Sequence, residues 1–263
     1  MNSRFCFALL CIPAFGLVAG APACSSSNTS GGTVVPGDGG PGTADGATSD
    51  GPASDAPPGG TQCSKARDDL LLPINKTSTG AVSIVSESGA TKTIYVDASA
   101  GGFTEAVKNP RIYIDLATGE KVDVTDKTAL ESTAWDLALK RQFIFTNSGD
   151  AGIGVGGAIQ LNTPFSAVTE AEANAAMIER ERFFNEECVA EKDQFGFSPN
   201  STFSDWYNYD SPTMMITTPK DVTYIVSGGT GKKYKLGIKT YRGLTDGGTG
   251  TASGIFVLQV TAL

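Results

Sequence analysis

Short runs of apolar residues, many alternating with polar ones, recur along the chain from about residue 81 onward. Ala81–Ser86 and Lys92–Val96 are rich in Val, Ile and Tyr and flank Gly89, which predicts a β-hairpin. Further runs of the same kind are predicted strands: Arg111–Leu116, Glu120–Val124, Trp135–Leu139, Gln142–Thr146, Ala158–Leu161, Val222–Val226, Tyr234–Lys239 and Ile255–Thr261. Many short strands with few helical segments predict a mainly β domain.

One segment, residues 169–192, departs from this pattern. Thr169 and Glu172 have the spacing of a helix-capping box. Apolar residues then recur at helical spacing: Ala173, Ala176, Met177, Phe183, Phe184 and Cys188. The spacing predicts one amphipathic helix of about five turns, inserted between strands, with Met177 on its apolar face. Asp205–Asp210 is an aromatic cluster in a loop-like context.

The first 24 residues predict export. A single basic residue, Arg4, precedes an apolar run that ends near Ala21 and is short for a membrane span. Small residues then lead to Cys24, so residues 1–23 resemble a bacterial lipoprotein signal peptide, which is cut before a cysteine that receives lipid. Ala21 stands where Leu is common in that cleavage box. A plain secretory signal cut after Ala23 is therefore the alternative.

Residues 25–62 are rich in Gly, Ser, Pro and Asp and contain no aromatic residue. Such a segment cannot bury enough apolar surface to offset its ordering entropy. With Cys24 it is predicted to form a lipidated, disordered tether with a reach of about 34 Å. The sequence thus divides into a signal peptide (1–23), a tether (24–62) and a single β domain (63–263).

Charge and composition narrow the function. The net charge of −8 disfavours nucleic-acid binding, which relies on Lys and Arg contacts to phosphate. Histidine is absent, which excludes Ser-His-Asp and Cys-His catalysis and His-containing zinc or haem sites. The common nucleophile motifs are missing as well, so we predict a binding protein rather than an enzyme.

Two cysteines, Cys63 and Cys188, remain in the predicted β domain. An oxidising compartment favours a disulfide between them. The alternative is two separate buried thiols, because sequence alone does not give their distance.

Two glycine-rich segments resemble nucleotide-binding motifs. Gly152–Gly157 satisfies G-x-G-x-x-G, but a predicted strand follows it where a dinucleotide site needs a helix. Ser227–Lys232 lies between predicted strands and lacks the first Gly and the final Ser or Thr of a phosphate loop. We therefore predict a tight or bulged β connection for the first segment and a hairpin turn for the second.

Residues 135–149 resemble the signature block of the HmuY family. Trp135–Arg141 reads as W-D-hydrophobic-A-hydrophobic followed by basic residues, and Phe143–Gly149 is a short strand followed by T-N-S-G. The C-terminal third has a similar closing pattern, so the resemblance covers roughly residues 80–263. Within the block, Trp135 is expected to be a core residue and Asp136 to accept hydrogen bonds from nearby backbone donors.

The resemblance implies a mostly antiparallel, multi-stranded HmuY-like fold. It also implies an outer-membrane lipoprotein, facing the cell surface or the periplasm, that can be shed as a haem carrier. The best-known members capture haem and pass it to an outer-membrane transporter. They hold the iron between two axial side chains, which are His in some members and Met in others.

Because His is absent, the resemblance leaves three candidate haem ligands, Met177, Met214 and Met215. Core packing is the favoured interpretation of Met177. Met214 and Met215 follow an aromatic-rich loop, and adjacent residues of a strand point to opposite faces, so at most one of them faces a pocket. Tyr207 and Tyr209 are weaker candidates, since phenolate can ligate haem iron.

The resulting hypothesis is a membrane-anchored protein that captures haem, a related tetrapyrrole or another apolar small molecule. The alternative is a surface interaction module that has the same fold and does not bind haem. A hydrolase is a third hypothesis, with no motif behind it.

Overall fold

The computed structural model describes residues 63–196 and 198–263. The predicted signal peptide (1–23), Cys24 and the predicted tether (25–62) lie outside the described residues. In chain order the elements are α1 Ser64–Leu71, β1 Val82–Ser88, β2 Thr91–Asp97, β3 Ile112–Asp115, β4 Glu120–Lys121, α2 Asp126–Ala129, β5 Leu137–Lys140, β6 Phe143–Thr146, β7 Gly157–Leu161, α3 Glu170–Ala175, β8 Asn208–Asp210, β9 Met215–Thr217, β10 Thr223–Ser227, β11 Lys233–Thr240 and β12 Ile255–Ala262. Two 3-10 turns, Ala106–Lys108 and Gly149–Ala151, lie between them.

The largest sheet has six strands in the order β1-β2-β12-β11-β10-β7. Every neighbouring pair is antiparallel, and the predicted hairpin around Gly89 forms with Val82 opposite Val96. The last strand, β12, lies inside the sheet between β2 and β11 and pairs with both. The prediction of a mainly antiparallel β fold is therefore confirmed.

A second sheet has four strands in the order β4-β3-β5-β6. Alternation along its strands gives it two buried faces. Ile112 and Ile114 face the six-stranded sheet and pack there with residues such as Phe256. Tyr113 faces the other way, into a second cluster with Trp135. A sheet buried on both faces carries few polar side chains, which accounts for its near-continuous apolar sequence.

The predicted helix over residues 169–192 is wrong in length. Thr169 and Glu172 do form a capping box, but the helix α3 ends at Ala175. Residues beyond it run in irregular extended structure, and Glu179 forms an isolated antiparallel bridge with Ala158 of β7. Phe183 and Phe184 are both buried although they are adjacent. Pairing with β7 and the burial of consecutive aromatic rings outweigh helix propensity here.

A disulfide joins Cys63 to Cys188, which are 125 residues apart in sequence. The bond links the residue preceding α1 to the irregular segment after α3, not to a helix as the sequence pattern indicated. It lies beside the second cluster, against which Cys63 and Ala190 are packed. The bond therefore holds a segment with little regular structure against the outer face of the four-stranded sheet.

Candidate functional site

The signature block forms part of the core. Trp135 is fully buried, and its indole Nε1 donates to the Ala129 carbonyl at 2.8 Å. Its ring packs edge-to-face on Tyr113 and Phe145, with ring centroids 5.0 and 6.0 Å apart. Trp135 has a hydrogen-bond partner for its one polar atom and is surrounded by aromatic rings, so it stabilises the fold.

Asp136 connects two parts of the fold. Its Oδ2 accepts the Leu116 backbone N–H at 2.8 Å, and its Oδ1 accepts the Gly229 N–H at 2.9 Å. Burial raises the pKa of this carboxyl, while the two backbone donors act in the opposite direction. The predicted acceptor role is confirmed: Asp136 joins the end of β3 to the turn between β10 and β11.

The glycine-rich segment after β6 packs on Asn147. The Asn147 side chain donates to the Ser132 and Trp135 carbonyls and accepts the Gly154 N–H at 3.0 Å. A Cβ at Gly154 would lie 2.4 Å from the Asn147 carbonyl oxygen, so only glycine allows this approach. The segment leads into strand β7, as predicted for a β connection. Ser227–Lys232 likewise connects β10 to β11 through a turn.

Glu181 is a buried carboxylate with no cation in its hydrogen-bond shell. It accepts four hydrogen bonds, from the backbone N–H and hydroxyl groups of Thr146 and Thr202, at 2.6 to 3.0 Å. Burial raises its pKa, and these hydrogen bonds oppose that rise. Sequence reasoning missed this residue, because a Glu among charged neighbours after α3 carries no signal that distinguishes it from a solvated one.

The three candidate methionines lie outside the core. Met177 is 85% exposed and Met214 is 75% exposed. The prediction that Met177 packs on an apolar helix face is therefore wrong, because α3 ends before it. Met214 closes the four-residue turn between β8 and β9 with a positive φ of 53°. Met215 begins β9 opposite Asp210 and is half-buried.

The two candidate tyrosines differ in environment. Tyr207 is buried, and its hydroxyl donates to Asp193 Oδ2 at 2.8 Å. Burial, followed by this hydrogen bond and the Asp193 charge, raises the Tyr207 pKa far above its ordinary value. A phenol held protonated in this way is a poor iron ligand. Tyr209 is half-buried in β8 and packs edge-to-face against Phe195, with ring centroids 5.9 Å apart.

The aromatic cluster of Asp205–Asp210 is more ordered than its loop-like sequence indicates. Trp206 is buried against Tyr241 and Phe256, and its Nε1 donates to the Gln142 carbonyl at 2.8 Å. The end of the cluster, Asn208–Asp210, is strand β8. Two of its three aromatic side chains, Trp206 and Tyr207, therefore belong to the core. The third, Tyr209, is half-buried beside Phe195.

A polar cleft of about 310 Å³ lies beside β7. Eight of its ten lining residues carry polar side chains, and none of the ten is Met, Lys or Arg. The ten are Ala158, Ile159, Gln160, Glu179, Gln194, Asn200, Ser201, Thr202, Ser204 and Asp205. A tetrapyrrole needs a largely apolar contact surface. This cleft therefore does not have the chemistry of a haem pocket.

Two general findings concern the described residues alone. Within 63–196 and 198–263, no group of three or more His, Cys, Asp or Glu side chains is placed to hold a metal ion. The helices of the same residues lack the length and apolar content that a membrane crossing requires.

Comparison with known proteins gives one family and several structures of low identity. A family model described as HmuY protein matches residues 108–253. A lipoprotein candidate from Bacteroides fragilis is 17% identical, with a TM-score of 0.41, covering 69% of this chain and 94% of that one. A candidate HmuY-like heme-binding protein from Bacteroides vulgatus is 23% identical, with a TM-score of 0.40, covering 69% of this chain and 96% of that one. The apo form of a HmuY analogue from Tannerella forsythia is 16% identical, with a TM-score of 0.42, covering 65% and 95%. Among curated proteins, none matches the sequence significantly.

Proposed function

This chain belongs to the HmuY family, and from that membership we propose that it captures haem or a related tetrapyrrole as an exported, lipid-anchored protein. The observation that supports the proposal is the exposure of Met177 and Met214, at 85% and 75%. Methionine is an adaptable apolar residue that normally fills gaps in a core. Here both thioethers project from segments outside the main sheets, where they are accessible to a ligand.

Methionine sulfur is an established axial ligand of haem iron. We propose that Met177 and Met214 would offer their sulfur atoms to the haem iron. Met215 ranks below them, because it is half-buried in β9. Tyr207 ranks last, because its hydroxyl is committed to Asp193. The half-buried rings of Tyr209 and Phe195 are proposed to offer the porphyrin apolar contact near the β8–β9 turn.

Titration of the purified protein with hemin tests the proposal. We expect a saturable shift of the Soret band, together with quenching of tryptophan fluorescence. Met177→Leu and Met214→Leu each keep an apolar side chain and remove the sulfur, and each is expected to weaken binding at least about tenfold, or roughly 1.4 kcal/mol. Val107→Ala, at an exposed apolar position remote in sequence from both methionines, serves as the matched control.

An unchanged Soret band with the wild-type protein would reject haem capture. A shift of equal size and affinity in the Met177→Leu, Met214→Leu double variant would reject the assigned ligands.

The polar lining of the cleft beside β7 and the absence of histidine support a second candidate function, a surface interaction module that does not bind haem. The same titration separates the two. The second function predicts no spectral change at any hemin concentration with either the wild type or the methionine variants.

A further inference from the structure

Lys140, the last residue of β5, lies across from a second cation, Arg111. Ile112 of β3 pairs with Leu139 of β5 in antiparallel register, so the next pair outward is Arg111 with Lys140. Opposed residues of two antiparallel strands point to the same face and lie within contact range. Here that face is the one covered by the second cluster, which contains Trp135 and Phe145, because Arg111 lies over the Phe145 ring, 5.6 Å from its centroid.

Among the described residues, Asp126 is the anion that acts on Lys140, and it already has its partners. Asp126 Oδ1 accepts the Arg111 backbone N–H and the Tyr113 hydroxyl, both at 3.0 Å. Its Oδ2 accepts the Ile74 N–H at 3.1 Å and Arg111 Nη1 at 3.3 Å. Asp126 forms an ion pair with Arg111. With four donors on its two oxygens, it has no further acceptor position for Lys140.

The Lys140 amine is left without a counter-ion. Over residues 63–196 and 198–263 its Nζ forms neither a hydrogen bond nor an ion pair. Its side chain is half-buried, and Lys140 pairs with Phe143 of the neighbouring strand β6. Burial first, and then the Arg111 charge, lower the Lys140 pKa to about 8, although Asp126 acts in the opposite direction. Near pH 7 roughly a tenth of this amine is therefore neutral, compared with less than a thousandth of an ordinary lysine.

We propose that Lys140 is a covalent modification site for small aldehydes. The neutral amine donates its lone pair to the carbonyl carbon, and a proton moves from nitrogen to oxygen to give a carbinolamine. Loss of water then leaves an imine, with no change in oxidation state. Half-burial restricts the electrophile to a small one, and the adjacent Arg111 guanidinium disfavours a positively charged one.

Limiting [¹³C]formaldehyde with cyanoborohydride tests this in the purified full chain, since the hydride donor converts each imine to a stable methylamine. The extent of labelling at each lysine is read by peptide mass spectrometry. At pH 7 we expect Lys140 to be labelled at least about tenfold faster than Lys127, an exposed lysine of α2. At pH 9.5 the ratio should fall, because exposed lysines then also deprotonate.

Lys140→Arg should remove the fast-labelled site and leave labelling of Lys127 unchanged, whereas Lys127→Arg should leave the fast site in place. Labelling of Lys140 at pH 7 that is as slow as that of Lys127, or slower, would overturn the proposal. This holds whether the amine has an ordinary pKa or is inaccessible to the reagent. A rate ratio that does not change with pH would overturn it as well.

Discussion

At the scale of single residues, Glu181 determines how the segment after α3 is held. Each of its two carboxylate oxygens accepts a backbone N–H, one from Thr146 and one from Thr202. The nitrogen of a glutamine amide cannot accept either of these hydrogen bonds. Glu181→Gln is therefore expected to lower the free energy of unfolding by about 1–3 kcal/mol, the cost of an unsatisfied buried donor. Urea denaturation measures the change.

The same substitution has a pH signature. Burial raises the folded-state pKa of Glu181, so its contribution is fully present below the unfolded pKa, about 4.3, and is lost as pH rises toward the folded value. The difference in unfolding free energy between wild type and Glu181→Gln should therefore be largest below about pH 4.3 and shrink as the pH rises above it. Glu179→Gln, an exposed neighbour, should change stability by less than about 0.5 kcal/mol. A difference that grows with pH would contradict the direction of the pKa shift.

Gly154 tests whether the G-x-G-x-x-G segment serves packing. An added methyl group would lie 2.4 Å from the Asn147 carbonyl oxygen, a backbone atom that cannot move alone. Gly154→Ala is expected to lower the melting temperature, with a cost of about 1–3 kcal/mol from overpacking. Val155→Ala, at a neighbouring side chain that is 63% exposed, should be nearly neutral. Equal effects of the two substitutions would show that the close approach does not constrain the segment.

At the scale of elements, local pattern predicted the strands of the two larger sheets and failed for β8, β9 and the segment after α3. Strands such as β10 and β12 carry their apolar residues in runs bounded by turn residues, and that signal is local. The capping box at Thr169 is local too, and it forms. The end of α3 is determined by distant partners: Ala158 pairs with Glu179, and Thr202 hydrogen-bonds to Glu181. No local spacing encodes such contacts, so helical periodicity over 169–192 was misleading.

The disulfide compensates for the lack of regular structure in that segment. A bond that closes a loop across 125 residues stabilises the fold by about 5 kcal/mol in the chain-entropy model. Cys188→Ser is expected to lose about 2–5 kcal/mol of unfolding free energy. Cys63→Ser and the double variant should lose the same amount, because all three remove one bond. Unchanged urea midpoints in the single variants, with or without reductant, would contradict this role.

At the scale of the whole molecule, sequence predicted the scaffold better than the site. The signature block at Trp135 and Asp136 marks the fold, and both residues are committed to internal contacts. The exposure of Met177 follows from where α3 ends. The lowered pKa of Lys140 follows from burial and from the strand register that places Arg111 opposite it, while Asp126 already accepts four other hydrogen bonds. These properties arise from tertiary contacts, so they became visible only with the structure.

Cys24 lies outside the described residues, and its lipidation remains a prediction that a cellular experiment can decide. In a Gram-negative host fed an alkyne fatty acid, we expect the wild-type chain to be labelled and to sediment with membranes. Cys24→Ser should lose the label and appear in the soluble periplasmic fraction, because a single anchoring site carries the whole membrane affinity. Cys63→Ser is the matched control and should keep the label.

If the signal is instead cut after Ala23 without lipidation, wild type and Cys24→Ser will fractionate alike. The wild-type protein will then begin with an unmodified cysteine, and capture of a ligand at the membrane would require a partner to hold the protein there.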